Sequence, residues 1–210
     1  MTRYTQLFSI IIILSIIVLS YSCSKQEDVT IDKIDNGELS FIPMEVGNYW
    51  IYQVNNVDEN GNSTYVRTDS AYIATTKDIN GIIYFEYRVP TINYTEYLRD
   101  SSSYLVDDKG EKLFYHKYDN DTLFNNKIMS SGLVFSHTHR VIHILGNSTE
   151  CIAGSFPAIE ARYTISLPFL NKEYVSHFYY SVNIGLIYRE DAKDLAGNIK
   201  TYSLMRWGTK

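Results

Sequence analysis

The sequence predicts an all-β fold, mainly antiparallel. A curved sheet forms a half-barrel or open barrel of about ten strands, behind an apolar N-terminal segment. Three observations predict it. From Met44 onward apolar and aromatic residues alternate with polar ones at period two, the pattern of a strand with one buried face. Clusters of Asn, Asp and Gly interrupt that pattern at short intervals, as hairpin turns require. The chain carries 19 Tyr and 9 Phe, rings that suit a sheet with one apolar and one wet face. No stretch holds a long 3.6-residue period, and residues 119–131 are the least unsuitable place for a helix. Many short strands avoid exposed edges by curving or closing.

The N-terminal segment comes first in the chain. Met1-Thr-Arg-Tyr is a short basic lead, Leu7 to Leu19 is apolar, and Ser20, Ser22 and Cys23 follow. That is the three-part layout of an export signal over residues 1–22. The apolar run falls short of the ~20 residues that span a bilayer, so a transmembrane anchor is not expected. The segment resembles a bacterial lipoprotein signal of the loose, Bacteroidetes type, with cleavage before Cys23 once a diacylglycerol is on its sulfur. It departs from the strict motif, since Leu19 sits four residues before Cys23 and Tyr21 is bulky. Each buried acyl CH₂ contributes ~0.8 kcal/mol, so palmitate-length chains on Cys23 would hold the protein on a membrane. Lys25, Glu27 and Asp28 resemble the acidic signal that sends such lipoproteins to the outer face of the outer membrane.

Residues 23–40 then form a lipidated cysteine and a tether. They are charged and carry little periodic apolar signal. Extended at ~3.3 Å per residue, the tether could hold the domain roughly 50 Å from its anchor. Residues 41–210 are the β domain, one domain by size. The whole chain carries a net charge of −5, and losing Arg3 with the signal makes it −6. A mildly acidic chain without a basic cluster excludes the electrostatic footprint of a nucleic-acid binder. The two cysteines are Cys23 and Cys151. With Cys23 acylated, Cys151 is expected as a small apolar residue without a disulfide.

Within the domain, Asn48-Tyr-Trp-Ile-Tyr-Gln-Val54 starts the strands and Asp58 to Asn62 is a turn. Residues 64–77 return as a strand or two, and Asp78-Ile-Asn-Gly81 turns again. Ile83, Phe85, Tyr87 and Val89 then share one face, opposite Glu86 and Arg88. Short strands over 93–100 and 103–106 precede a hairpin through Asp107-Asp-Lys-Gly110 into 112–118. Residues 119–126 read as a loop and 133–145 as a long strand broken at Gly146-Asn147. Residues 150–153 and 158–167 flank a bend at Gly154-Ser-Phe-Pro157. Strands over 173–181, 186–191 and 200–207 finish the series.

Three stretches carry a resemblance. Pro43-Met-Glu-Val-Gly47-Asn-Tyr-Trp50-Ile-Tyr52 resembles the opening of a broad set of bacterial exported proteins, many of them lipoproteins. Ala153-Gly-Ser-Phe156 and Tyr179-Tyr-Ser-Val-Asn-Ile-Gly185-Leu-Ile resemble their later elements, in the same order. The resemblance implies an antiparallel half-barrel similar to the carriers that shuttle lipoproteins across the periplasm, and it supplies no catalytic residues. Gly47-Asn48 is expected to turn the chain before the first strand, and Trp50 and Tyr52 to face the core together. Gly154 and Gly185 are expected to allow a bulge or kink in the curved sheet.

Candidate chemistry is sparse. His137 and His139 fall on one face of a strand about 6.6 Å apart. That spacing lets two imidazoles share a metal if a third ligand comes from a neighbouring strand. His116, His143 and His177 are further candidates. No nucleophile elbow, phosphate-binding Gly loop or Cys-x-x-Cys pair is found, so neither catalysis nor a cofactor is expected. Asp69-Ser70-Ala71 and Asp121-Thr122-Leu123 resemble the acceptor for O-glycosylation of exported Bacteroidetes-type proteins, at Ser70 and Thr122. The expected function is that of an outer-membrane lipoprotein binding an apolar ligand or lipid in the curved sheet. The alternative is a surface interaction module for glycan or a partner protein.

Overall fold

The structure, a computed structural model, describes residues 42–101, 104–116, 119–130 and 132–209, the side chains of 145–147 excepted. The signal segment 1–22, the lipidation site Cys23 and the tether 23–40 lie outside the described residues. Twelve strands follow: β1 (Tyr49–Val57), β2 (Ser63–Ile79), β3 (Ile82–Val89), β4 (Tyr94–Ser101), β5 (Tyr104–Asp107), β6 (Lys112–Tyr115), β7 (Thr122–Ser130), β8 (Leu133–Cys151), β9 (Gly154–Leu167), β10 (Lys172–Ser181), β11 (Gly185–Glu190) and β12 (Ile199–Gly208). The predicted all-β antiparallel class is what the chain adopts. All twelve lie in one sheet, ordered β6-β5-β4-β3-β2-β1-β12-β11-β10-β9-β8-β7.

Every described pairing is antiparallel and joins an odd-numbered strand to an even-numbered one. All odd-to-even connections therefore gather at one end of the sheet, and all even-to-odd connections gather at the other. The sheet curls until its two outer strands meet, and the barrel is nearly closed. Phe114 and Tyr115 of β6 share a buried cluster with Leu123 of β7 and Ile142 of β8. Across that seam the Arg140 guanidinium of β8 donates to the Lys112 carbonyl at 3.2 Å and lies 3.6 Å from Glu111. No ladder joins β6 to β7 among the described residues, so side chains hold the seam.

Three readings of the sequence need correction. The expected loop over 119–126 covers only 119–121, and no described residue of 119–131 is helical: β7 begins at Thr122. It is an outer strand whose residues beyond Phe124 are exposed, so burial imposes no alternation for a sequence reading to detect. Gly146-Asn147 does not end its strand. The register slips between Ile144 and Ser148, and β8 runs on to pair Ser148 with Pro157 and Cys151 with Gly154. Pro157 is tolerated because β10 pairs with β9 only from Ile159 onward, leaving that side of Pro157 without a ladder. Gly154 and Gly185 do not bulge the sheet. Gly154 closes the β8–β9 turn at φ +141°, and Gly185 opens β11 at φ +95°.

The sequence also makes one turn twice. Pro90–Ile92 and Pro168–Leu170 are single 3₁₀ turns, each ended by an Asn in the left-handed region, at φ 51°, ψ 41° and φ 49°, ψ 42°. Proline presets the first helical φ, and Asn tolerates the left-handed exit better than other side chains. The two turns join β3 to β4 and β9 to β10, six strands apart and at the same end of the barrel.

The core fills the opposite end, where the described chain begins. Gly47-Asn48 makes the expected turn: the Gly47 amide donates to the Ile73 carbonyl, and the Ile73 amide donates to the Asn48 carbonyl, both at 2.9 Å. Trp50 and Tyr52 then point inward together, into a cluster with Ala71, Ile73, Ala158, Ile184, Ile187 and Leu204. Trp50 donates its indole N–H to the Ile184 carbonyl, and Tyr52 donates its hydroxyl to the Leu186 carbonyl at 2.9 Å. The β10–β11 turn and the start of β11 are thus pinned by two side chains of β1.

Candidate functional site

Above this packed floor the barrel encloses a cavity of ≈ 480 Å³, within the ~300–1,000 Å³ typical of small-molecule sites. Strand alternation explains its lining. The inward phase of β3 continues from Phe85 to Tyr87 and Val89, that of β4 carries Tyr94, Glu96 and Leu98, and that of β10 carries Phe178 and Tyr180. Trp50, Tyr52 and Ala71 form the floor, while Ile92 and Tyr94 bound the end with the odd-to-even connections. Burial pushes the hydroxyls of Tyr52 and Tyr87 well above their ordinary range. Tyr180 is pushed up to about 12 for the same leading reason. These rings stay neutral at any physiological pH.

Four charged residues also face this space. Asp69 is 2% exposed and is clasped by Arg67, Nε–Oδ1 at 2.7 Å and Nη2–Oδ2 at 3.0 Å. Burial disfavours its charge, yet the Arg67 hydrogen bonds and that of Thr91 hold its carboxyl below the usual carboxylate range. Arg189 lies over the rings of Phe178 and Tyr202, at 5.0 and 4.8 Å from the centroids, and donates to Asp191 at 2.6 Å. Arg140 lies over Tyr163 and ties the seam as described. Glu96 has no ion-pair partner among the described residues. Burial raises its carboxyl pKa, and a Tyr94 hydrogen bond opposes that rise.

The residues picked from sequence lie elsewhere. His137 and His139 are neighbours on the outer face of β8, with ring centroids 5.0 Å apart. His137 Nε2 lies 2.8 Å from Asn125 Oδ1, and Lys127 sits opposite His137 in the β7 register. Burial, then His139, then the Lys127 charge lower the His137 pKa. Among the described residues no group of three His, Cys, Asp or Glu stands close enough to hold a metal. His177 is engaged elsewhere, its Nδ1 2.6 Å from the Glu160 carboxylate.

Ser70 is half-buried in mid-β2, next to the inward Asp69. Thr122 is exposed at the start of β7. Cys151 is half-buried at the end of β8, and burial raises its thiol pKa, which makes it a poor nucleophile.

Sequence reasoning missed the charges that face the cavity. The available signal was phase: Glu96 shares the face of Tyr94 and Leu98, and Arg140 shares that of Ile142 and Ile144.

One group of exposed apolar side chains lies at the cavity's end of the barrel. Leu133, Phe135 and Phe169 are 74%, 48% and 58% exposed, and the rings of Phe135 and Phe169 stack at 4.8 Å. Leu133 and Phe135 open β8 and Phe169 lies in the β9–β10 turn, all at that end.

No family model matches the sequence, and no curated protein matches it either. Two crystal structures resemble the chain in backbone. One is a candidate lipoprotein from Parabacteroides distasonis, at 14% identity and TM-score 0.45, covering 81% of this chain and 99% of its own. The other is a candidate exported protein with a YmcC-like fold from Bacteroides fragilis, at 13% identity and TM-score 0.44, covering 82% of this chain and 100% of its own.

Proposed function

We propose that this chain is a lipid-anchored protein of the bacterial cell envelope whose barrel binds an apolar ligand or lipid, without catalysis. The observation that carries the reading is the cavity. A nearly closed barrel could fill its interior with side chains, as the floor around Trp50 does, yet its other half stays open and lined mainly by aromatic and aliphatic groups. Empty apolar volume costs stability, since the lining atoms forgo their contacts. A ligand that restores those contacts is the simplest reason to retain it. The basic lead, apolar run and Cys23 support export and acylation, with the outer membrane as the destination and the bilayer as the partner of the anchor.

A second reading is a surface interaction module for a glycan or a partner protein. The stacked, exposed Phe135 and Phe169 favour it, because an exposed aromatic pair is the usual core of such a contact. O-glycosylation at Ser70 or Thr122 belongs to the same exported life, and Thr122 is the more accessible of the two.

Organic extraction of the purified full chain, with native mass spectrometry of the same sample, tests the first reading. A stoichiometric apolar adduct released by solvent supports it, and a clean apo mass opposes it. Incorporation of labelled palmitate that disappears in Cys23→Ser tests the anchor.

A further inference from the structure

We propose that the cavity selects amphipathic ligands whose polar end is cationic, an alkylammonium or amine-bearing lipid, and that Glu96 is the residue that reads it. The inference rests on the apolar-ligand reading and adds the chemistry of the head group.

Arg67 is spent on Asp69 through two hydrogen bonds. Arg189 is held by Asp191 and by two aromatic faces. Arg140, with a side chain 13% exposed, is committed to Glu111 and the Lys112 carbonyl. Arg140 and Arg189, the cations lining the cavity, thus each have an anion at ion-pair distance, whereas Glu96 has none and is reached by Arg140 only through space. Its carboxylate projects from the middle of β4 between Tyr94 and Leu98 on the inward phase, into the space those pairs surround. Tyr94 hydrogen-bonds this carboxylate and Arg140 attracts it from a distance, but it makes no ion pair, and burying a charge so placed is costly. Burial accordingly shifts it toward the protonated form.

The groups around Glu96 suit a cation better than an anion. Tyr87, Tyr94 and Tyr180 present aromatic rings from β3, β4 and β10, and an ammonium gains from ring faces as well as from the carboxylate. An alkyl carboxylate would meet Glu96 as a like charge and would have to break one of the three existing arginine pairs. An alcohol would gain one hydrogen bond without a charge.

The test uses three ligands with one tail and different heads: decylamine, decanol and decanoate. Each is titrated calorimetrically into the full chain held in a non-ionic amphipol. Decylamine is expected to bind about tenfold or more tighter than decanol, the scale of a hydrogen bond to a charged group, with decanoate weakest. In Glu96→Gln the amine-to-alcohol ratio is expected to fall to about one. Equal affinities in the wild type, or decanoate as the tightest ligand, overturn the inference and leave the apolar-ligand reading standing. Failure of all three to bind overturns both. The wild-type order decides the matter even if Glu96→Gln does not fold.

Discussion

Trp50→Phe is the substitution whose cost can be built from the structure. Trp50 is buried at the floor of the barrel, and its indole N–H satisfies the Ile184 carbonyl in the β10–β11 turn. Phenylalanine keeps the apolar character but removes the donor, and a buried carbonyl left without a partner costs ~1–3 kcal/mol. The lost ring atoms leave roughly 40 Å³, which at ~24 cal/mol per Å³ adds about 1 kcal/mol. Relaxation has little room to reduce this, because Ile73, Ile187 and Leu204 around it are themselves fully buried. The expected loss is about 2–4 kcal/mol, or roughly 4–16 °C in melting temperature for a domain of this size. Urea unfolding followed by far-UV circular dichroism measures it, with an unchanged m-value as the sign that both end states are intact. A loss under ~0.5 kcal/mol, the usual range of surface changes, would refute the claim that Trp50 is the structural pin of β1.

Other perturbations follow from the same contacts. Gly185→Ala forces a side chain into φ +95° with its Cβ 3.4 Å from the Trp50 indole nitrogen, so thermal melting is expected to show a loss of about 1–2 kcal/mol. Glu160→Gln removes a buried charge bonded by Arg162 at 3.0 Å and His177 at 2.6 Å. Arg162 is 43% exposed, so the expected cost is at the low end of charged hydrogen bonds, ~1.5 kcal/mol. Burial raises the Glu160 pKa, but these partners hold it below 4.5 on balance. Its stabilisation is thus fully present above pH 4.5 and is lost as pH falls through the lowered value. Melting curves of wild type and Glu160→Gln are therefore expected to differ at pH 7 and to converge in acid. Zinc should raise the melting temperature only if it binds the folded state. With two imidazoles and an opposing Lys127, a shift of less than ~1 °C is expected in both wild type and His137→Ala.

The fold class was legible because burial writes period two into strands that have a packed face and a solvated one. Trp50, Tyr52 and Val54 against Gln53 and Asn55 are the clearest case. The Gly47-Asn48 turn and the inward pair Trp50 and Tyr52 were legible for the same reason. β7 was not, because a strand at the seam with its residues in water needs no pattern. Nor was the continuation of β8 past Gly146-Asn147, since a bulge reads like a break when the partner strand is unknown. The cavity was the least legible feature. It is set by which inward residues face each other across the barrel, and Glu96, Arg140 and Arg189 come together from β4, β8 and β11. Period alone marks them as inward charges, and the pairing that leaves Glu96 over exists only once the sheet is rolled up.

The most direct test of the central claim, an apolar ligand inside the barrel, is a calorimetric titration of dodecanol into the full chain and into Val89→Trp. Val89 lines the cavity near its open end from the inward phase of β3, so an indole there occupies the ligand's space while the strand is kept. The account predicts a single saturable site in the wild type and an affinity about tenfold or more weaker in Val89→Trp, with the melting temperature held within a few degrees. Equal affinity in the two proteins would place the ligand outside the barrel, and absence of saturable binding in the wild type would contradict the account outright.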